Sequence, residues 1–282
     1  AISARQLEDQ RIVSVLDLNS VSPSLRITTG DSAANPKVFI RGSGISDFNP
    51  SASSGVGIYV DGVYVGSPLA QVTGFYDIAR IEVLRGPQGT LYGRNTTGGA
   101  INVITNRPSS TPGGKLSVDY GSFNTVNVDA FLTGPISEGL SYRLSGQYLR
   151  ADGYSVNRID DSRLGDQNRY ALRGQLLFSP SSDFELLAQA SFFRNRGDAV
   201  VLKHRSLLPS DPAYAGADGV CLPQHTNDGL CTDALGYADT STDPYSVESN
   251  VDGRDKVDVV TANIQATIGL PIGDLILITA YQ

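Results

Sequence analysis

Two arginines close apolar runs in the first third of this 282-residue chain: Arg41 follows Val38, Phe39 and Ile40, and Arg85 follows Val83 and Leu84. A guanidinium at the end of a buried strand is poorly hydrated and seeks a carboxylate. A side chain snorkelling from the strand end to the surface would give the same pattern. The two cysteines, Cys221 and Cys231, enclose nine residues in a stretch rich in Gly, Pro and Asp. That spacing suits a local disulfide in an oxidising compartment, and closing so short a loop would stabilise by about 3 kcal/mol. A metal site is the alternative, because His225 lies between the cysteines and His204 upstream, yet the Cys–x2–Cys spacing of zinc sites is absent. Asp160, Asp161 and the acids after Asp211 match no calcium-loop spacing and read as solvated carboxylates. Neither histidine sits in a nucleophile motif. Residues 86–93, GPQGTLYG, look superficially like a phosphate cradle, but no Gly-Lys-Ser/Thr follows. The chemistry on offer is ion pairing and surface binding, with no catalytic set, cofactor or metal.

Composition narrows the classes further. A formal charge of −7 argues against nucleic acid, whose phosphates demand a basic face. With 40% hydrophobic residues, disorder is not expected. The absence of Met and of a signal-like leader predicts that Ala1 is not a translation start. No apolar run approaches the ~20 residues of a membrane helix, although barrel strands cross with ~10 alternating residues each.

The elements that position these residues fall into two sets. Residues 1–112 read as a small α/β domain, with helices over 3–10 and 14–19, the first capped by Ser3. Strands are expected over 25–28, 37–41, 56–60, 62–65, 80–84 and 100–105, with a tight turn at Asp61–Gly62 and a turn-rich loop over 43–54. Five glycines between Gly86 and Gly99 mark backbone that turns sharply or packs closely. Residues 108–114, PSSTPGG, read as a linker.

Beyond Gly114 the pattern becomes strict alternation. Val126, Val128, Ala130 and Leu132 oppose Thr125, Asn127 and Asp129; Tyr142, Leu144 and Tyr148 oppose Arg143, Ser145 and Gln147. Leu116, Leu172, Leu186 and Ile264 lie in further runs of this kind, while residues 275–281 are apolar on both parities and their register is unreadable. Such repetition means an antiparallel sheet. A soluble sandwich is one solution. A membrane barrel is favoured by the strand length, by Tyr and Phe near strand ends, and by connections that alternate between short turns and long loops. Short turns fall at 134–139, 179–183 and 270–274; the longest loop runs from 194 to 257. About seven strands over 113–282 are an odd, open set for an outer-membrane barrel, so the expectation is a fragment.

Three blocks carry a resemblance: VFIRG at 38–42, GIYVDGVYVG at 57–66, and ARIEVLRGPQGTLYGRNTTGGAINVITN at 79–106. In order and spacing they resemble the plug domain of TonB-dependent outer-membrane receptors, over about the first 110 residues. The resemblance implies an α+β plug with a small mixed sheet over 1–112, followed by the opening strands of a transmembrane barrel embedded in outer-membrane lipid of a Gram-negative bacterium. It implies that Arg41 and Arg85 lock the plug to barrel-wall glutamates, which in the family lie on strands later than these. Exposed apices of the plug, Asp47, Phe48 and Asn49 and then Tyr92, Arg94 and Asn95, are the residues expected to meet substrate, together with the loop from 194 to 257. The implied activity is active import of a scarce, bulky small molecule, by default an iron–siderophore complex, driven by TonB with ExbB–ExbD. The short TonB-binding segment is not recognisable before Ser3 and is expected to have been removed. Receptors for saccharides, cobalamin or aromatic compounds share the plug; a passive outer-membrane protein and a secreted β-sandwich are the alternatives from other classes.

Overall fold

The computed structural model describes every residue except 13, 30–35, 46–53, 72–74, 204–206, 227, 239 and 252. Residues 1–105 build two small sheets around one apolar core. Ser3 caps α1 (Ala4–Asp9) through a reciprocal pair, its N–H donating to Gln6 Oε1 at 3.0 Å and its Oγ accepting from Gln6 N at 3.4 Å. The second expected helix is a 3-10 turn, Val15–Ser20. Asn19 brackets the backbone of Ile27 at 2.6 and 2.7 Å, fastening the turn to the next strand.

The larger sheet contains β1 (Ile2–Ser3), β5 (Val56–Val60), β6 (Val63–Tyr64), β7 (Ile78–Arg85) and β8 (Gly99–Thr105), in the order β1-β7-β8-β5-β6. It is mixed: β7 pairs antiparallel with β8, and β5 parallel. The smaller sheet joins β2 (Leu25–Thr29), β3 (Pro36–Ile40) and β4 (Ser43–Gly44). Ile40, Ile58, Ile81, Ile101, Val15 and Leu18 are buried between them. β5 is buried on both parities over Val56–Tyr59, and β8 is buried except at the half-buried Asn102 and Ile104, which explains their continuous apolar runs.

A seven-stranded antiparallel sheet follows: β9 (Gly113–Gly121), β10 (Thr125–Ser137), β11 (Leu140–Ala151), β14 (Gln167–Ser181), β15 (Phe184–Asn195), β19 (Val257–Leu270) and β20 (Gly273–Tyr281), each paired with its neighbour in this order. The linker is shorter than expected, because Gly113 and Gly114 already pair with Thr133 and Leu132. Register joins the apolar parities across the sheet: Val118 faces Val128, Val128 faces Tyr148, Leu144 faces Gly174, Leu172 faces Phe192, and Ala188 faces Ile264. Leu116, Val118, Leu144, Leu172, Val260 and Ile264 are exposed, whereas Asn127, Thr133, Ser141, Arg143, Arg173, Gln175 and Gln189 on the other parity are buried. Among the described residues no second sheet packs on the apolar face, which stays exposed, unlike the inner face of a sandwich. The last strand, unreadable in sequence, is set by pairing: Leu275 and Leu277 face Ile268 and Ala266 and share the apolar side.

Between β11 and β14 lie β12 (Ser155–Asn157) and β13 (Arg163–Leu164); between β15 and β19 lie β16 (Leu208–Pro209), β17 (Cys231–Thr232) and β18 (Ser246–Val247). β12 pairs with both β13 and β18, tying the two long connections together. No helix among the described residues is long and apolar enough to cross a membrane.

Candidate functional site

The amino-terminal module sits against the polar parity of the long strands, and that contact is the most organised polar region of the molecule. Asp77, one residue before β7 and in the left-handed region at φ +51°, points its carboxylate at the wall. Arg143 of β11 meets it side-on, Nε donating to Oδ2 at 2.6 Å and Nη2 to Oδ1 at 2.5 Å. The side chains are 7% and 5% exposed, and Asn106 Nδ2 adds a bond to Asp77 Oδ1 at 2.9 Å. The Arg143 guanidinium lies 3.9 Å from the Phe131 ring centroid. Such a pair is worth keeping intact rather than worth much in itself: removing one partner strands a buried charge, at about 3–5 kcal/mol.

Three further contacts extend the seam. Arg173 of β14 stacks 4.4 Å from the Tyr76 ring and donates to the Tyr76 carbonyl at 3.3 Å. Gln175 Nε2 reaches Gln189 Oε1 at 2.7 Å and Thr105 Oγ1 at 3.3 Å; Thr105 in turn donates to both oxygens of Asp61. Arg107 pairs with Glu185 at 2.6 Å nearer the surface. Burial raises the Tyr76 hydroxyl above its ordinary pKa, against the lowering influence of Arg173.

The arginines singled out in sequence lie elsewhere. Arg85 is the last residue of β7 and Arg41 follows β3 with φ +52°; both are exposed, and among the described residues neither has an ion-pair partner. The two strand ends converge on one glycine pair. A Cβ at Gly99 would lie 2.3 Å from the Leu84 carbonyl oxygen and 2.9 Å from Ile40 Cδ1, and one at Gly98 would lie 2.8 Å from Ser43 Oγ. Gly98 and Gly99 therefore pack closely, whereas Gly86, Gly89 and Gly93 face open space, Gly86 and Gly93 with positive φ as the turn requires.

That loop carries α2 (Gly89–Tyr92) at the end of β8 remote from the wall contacts of Thr105 and Arg107. Tyr92 joins an aromatic knot: its carbonyl accepts from Tyr59 Oη at 2.5 Å, and its ring lies 4.8 Å from that of Tyr59. Asn95, at φ +65°, donates through Nδ2 to Tyr64 Oη at 3.0 Å. Arg94 beside it is exposed. Tyr59 is raised in pKa by burial first, then by Tyr64 and Tyr92. Asp47, Phe48 and Asn49 lie outside the described residues.

On the side of the long connections, Cys221 and Cys231 form a disulfide with Cα atoms 6.2 Å apart. His225 pairs with Asp228 at 2.7 Å and tilts against Tyr214; His204 lies outside the described residues. Among the described residues no three His, Cys, Asp or Glu side chains converge as metal ligands. Asn157, fully buried, donates to the Ser249 carbonyl at 2.8 Å and accepts from Ser249 N at 3.1 Å, clamping one loop to the other.

Sequence reasoning missed the Asp77–Arg143 pair. The signals were present: an aspartate immediately before an apolar strand, and an arginine among Ser141, Ser145 and Gln147 on the polar parity of β11. Nothing in the spacing of residues 77 and 143 joins them.

Comparison with known proteins follows the same division of the chain. Residues 1–100 match the family model described as the TonB-dependent Receptor Plug Domain. The pesticin receptor of Yersinia pestis is 37% identical over 143 residues, covering 50% of this chain and 20% of its own length. The vitamin B12 transporter of Vibrio vulnificus is 30% identical over 230 residues, covering 77% of this chain and 36% of its own length. The ferric yersiniabactin uptake receptor of Yersinia pestis superposes with a TM-score of 0.76 over 99% of this chain and 39% of its own, at 22% identity, a likeness of fold. The chain spans about a fifth to a third of the length of the curated relatives it matches.

Proposed function

The chain belongs to the TonB-dependent outer-membrane receptors, and on that premise we propose that the whole receptor imports a scarce, bulky solute, an iron–siderophore complex, across the outer membrane of a Gram-negative bacterium. One observation carries the reading: a folded module is docked on the polar side of a sheet whose other side is apolar and bare. A sheet of this kind curves around its plug and presents its apolar side to lipid. A wall of ~22 strands is too wide to select a solute by itself, so the plug must both block the passage and move. We propose a domain boundary between residues 112 and 113; the start of β9 at Gly113 supports it.

The glycine loop at 86–93 is not followed by Gly-Lys-Ser/Thr, and the work of moving the plug is assigned to an external partner, TonB with ExbB–ExbD, drawing on the proton-motive force of the inner membrane. Solute contact is assigned to Tyr92, Arg94 and Asn95, with Asp47, Phe48 and Asn49 and the loop from 194 to 257. In support, Tyr92 and Asn95 are pre-positioned by Tyr59 and Tyr64, leaving Arg94 free to reach outward. Arg41 and Arg85 are assigned to later wall strands; their exposure and their lack of a carboxylate among the described residues support this.

The relatives named for pesticin, ferrioxamine and vitamin B12 set the panel to test. Uptake of radiolabelled iron as ferric siderophores, of cobalamin and of saccharides is to be measured in cells with and without TonB. Siderophore-dependent uptake that vanishes without TonB is the expected result. Uptake that persists without TonB would replace the active receptor by a passive pore.

A further inference from the structure

The outward side of the sheet ends, towards the long loops, in a row of aromatic rings topped by charge. Tyr148 faces Tyr170 across β11 and β14, and the Phe192 ring lies 5.9 Å from that of Tyr170. Below this row the outward parity of β11, β14 and β15 carries no charge down to Leu140, Phe178 and Phe184. Eight residues at about 3.3 Å, tilted by about 40°, give an apolar height of about 20 Å, close to the ~25 Å band of membrane barrels. The first outward charges above the row are Arg150, Arg194 and Asp258.

Two of these are matched. Arg194 Nε donates to Asp258 Oδ1 at 2.6 Å, and its guanidinium lies 5.3 Å from the Phe192 ring. Arg150 is different: it is exposed, and among the described residues no carboxylate reaches it. It borders a cavity of about 400 Å³ at the rim, whose wall also holds Arg163, Asp152, Asp166 and Asn168. The two carboxylates already receive protein donors, Asn124 Nδ2 on Asp152 at 2.6 Å and the backbone N–H of Asp198 on Asp166 at 2.7 Å. Among the described residues Arg163 has one weak acceptor, the Gly153 carbonyl at 3.4 Å.

An arginine one step above an aromatic belt sits at headgroup depth, where lipid phosphates are the available anions. Guanidinium binds phosphate oxygens through paired charge-assisted bonds. We propose that Arg150 and Arg163 hold the phosphate of a lipid headgroup in the outer leaflet, its acyl chains lying on Tyr148, Tyr170 and Leu172. The site rests on the membrane reading of the sheet and not on the import reading, so a passive barrel would possess it equally.

The test uses the whole receptor in nanodiscs of phosphatidylcholine alone, with phosphatidic acid, or with diacylglycerol, and native mass spectrometry of the lipids retained on release. Heat-modifiable mobility in detergent reports membrane-type folding separately. Wild type is expected to retain phosphatidic acid and neither of the other lipids. Arg150→Gln should lower retention about tenfold, the loss of one charge-assisted phosphate contact. The Arg150→Gln/Arg163→Gln pair should abolish it, Arg150→Lys should restore it in part, and Arg194→Gln should leave it unchanged. Equal retention of diacylglycerol and phosphatidic acid by wild type would overturn the proposal without any variant. Undiminished retention by the double variant would overturn it as well. Displacement of the lipid by inorganic phosphate at matching concentration would assign the site to a soluble anion instead.

Discussion

Asp77 and Arg143 are the side chains on which the seating of the plug against these strands depends most. With both nearly sealed from water, either Asp77→Ala or Arg143→Ala should weaken the seating by about 3–5 kcal/mol. The double variant should cost less than the sum, because no charge is then left stranded. Protease susceptibility of the plug in the whole receptor reads this, and simple additivity would refute the coupling. Arg85→Ala, on a different part of the plug, should alter uptake more than solute binding; a dissociation constant raised tenfold with transport intact would assign Arg85 to the solute. Asp166 tests the rim. Burial first, and then the Asp198 carboxylate, push its pKa above the ordinary range. A raised folded value means that the folded form binds the proton more tightly, so stability falls as pH rises from the unfolded value, about 4, through the raised one. Protection factors of residues 152–166 should therefore be higher in mild acid than at neutrality. Asp166→Asn keeps the acceptor for Asp198 N–H and should flatten that dependence; an unchanged slope would place the titration elsewhere.

Among the elements, the strands and the long connections differ in what holds them. The strands are fixed by continuous pairing, with register irregularities only near the short turns at Pro135–Ser137 and Phe178–Ser181. The loops are fixed at a few points: the β12–β18 pairing, the Asn157 clamp and the Cys221–Cys231 bridge. Cys221→Ser with Cys231→Ser should destabilise the loop locally by about 3 kcal/mol. Limited proteolysis should then cut between 207 and 245 while the strands stay intact. Unchanged cleavage would show that the bridge contributes nothing to the order of the loop. The glycine loop obeys a different constraint. Gly99, at φ +146° and pressed on the Leu84 carbonyl, admits no Cβ, so this turn is fixed by the absence of a side chain.

For the molecule as a whole, the two faces of the seven-stranded sheet must meet different solvents. Leu144→Arg places a charge in the middle of the apolar band and should cost about 2–4 kcal/mol near the bilayer midplane. The expected readout is loss of heat-modifiable folding in the membrane fraction. Normal assembly of that variant would mean that Leu144 does not face lipid. The plug face answers to the opposite demand, since its polar groups must be paired with the plug rather than with water. Tyr76, Thr105 and Arg107 do this with Arg173, Gln175 and Glu185.

What the sequence determined by itself was everything carried by local periodicity and local steric need. Period-two alternation placed the long strands before residue 275 and their outward side, because successive side chains of a strand point to opposite faces. Branched apolar runs marked β3, β5, β7 and β8, and Asp61–Gly62 marked a turn that does adopt positive φ at both residues. Tertiary structure alone decided the rest. Residues 275–281 are apolar on both parities, so only pairing with β19 could assign their faces. The 3-10 turn at Val15–Ser20 follows from a clamp eight residues away. The Asp77–Arg143 pair joins positions 66 residues apart, and burial of that charge pair is a property of the docked plug and wall together, not of either segment.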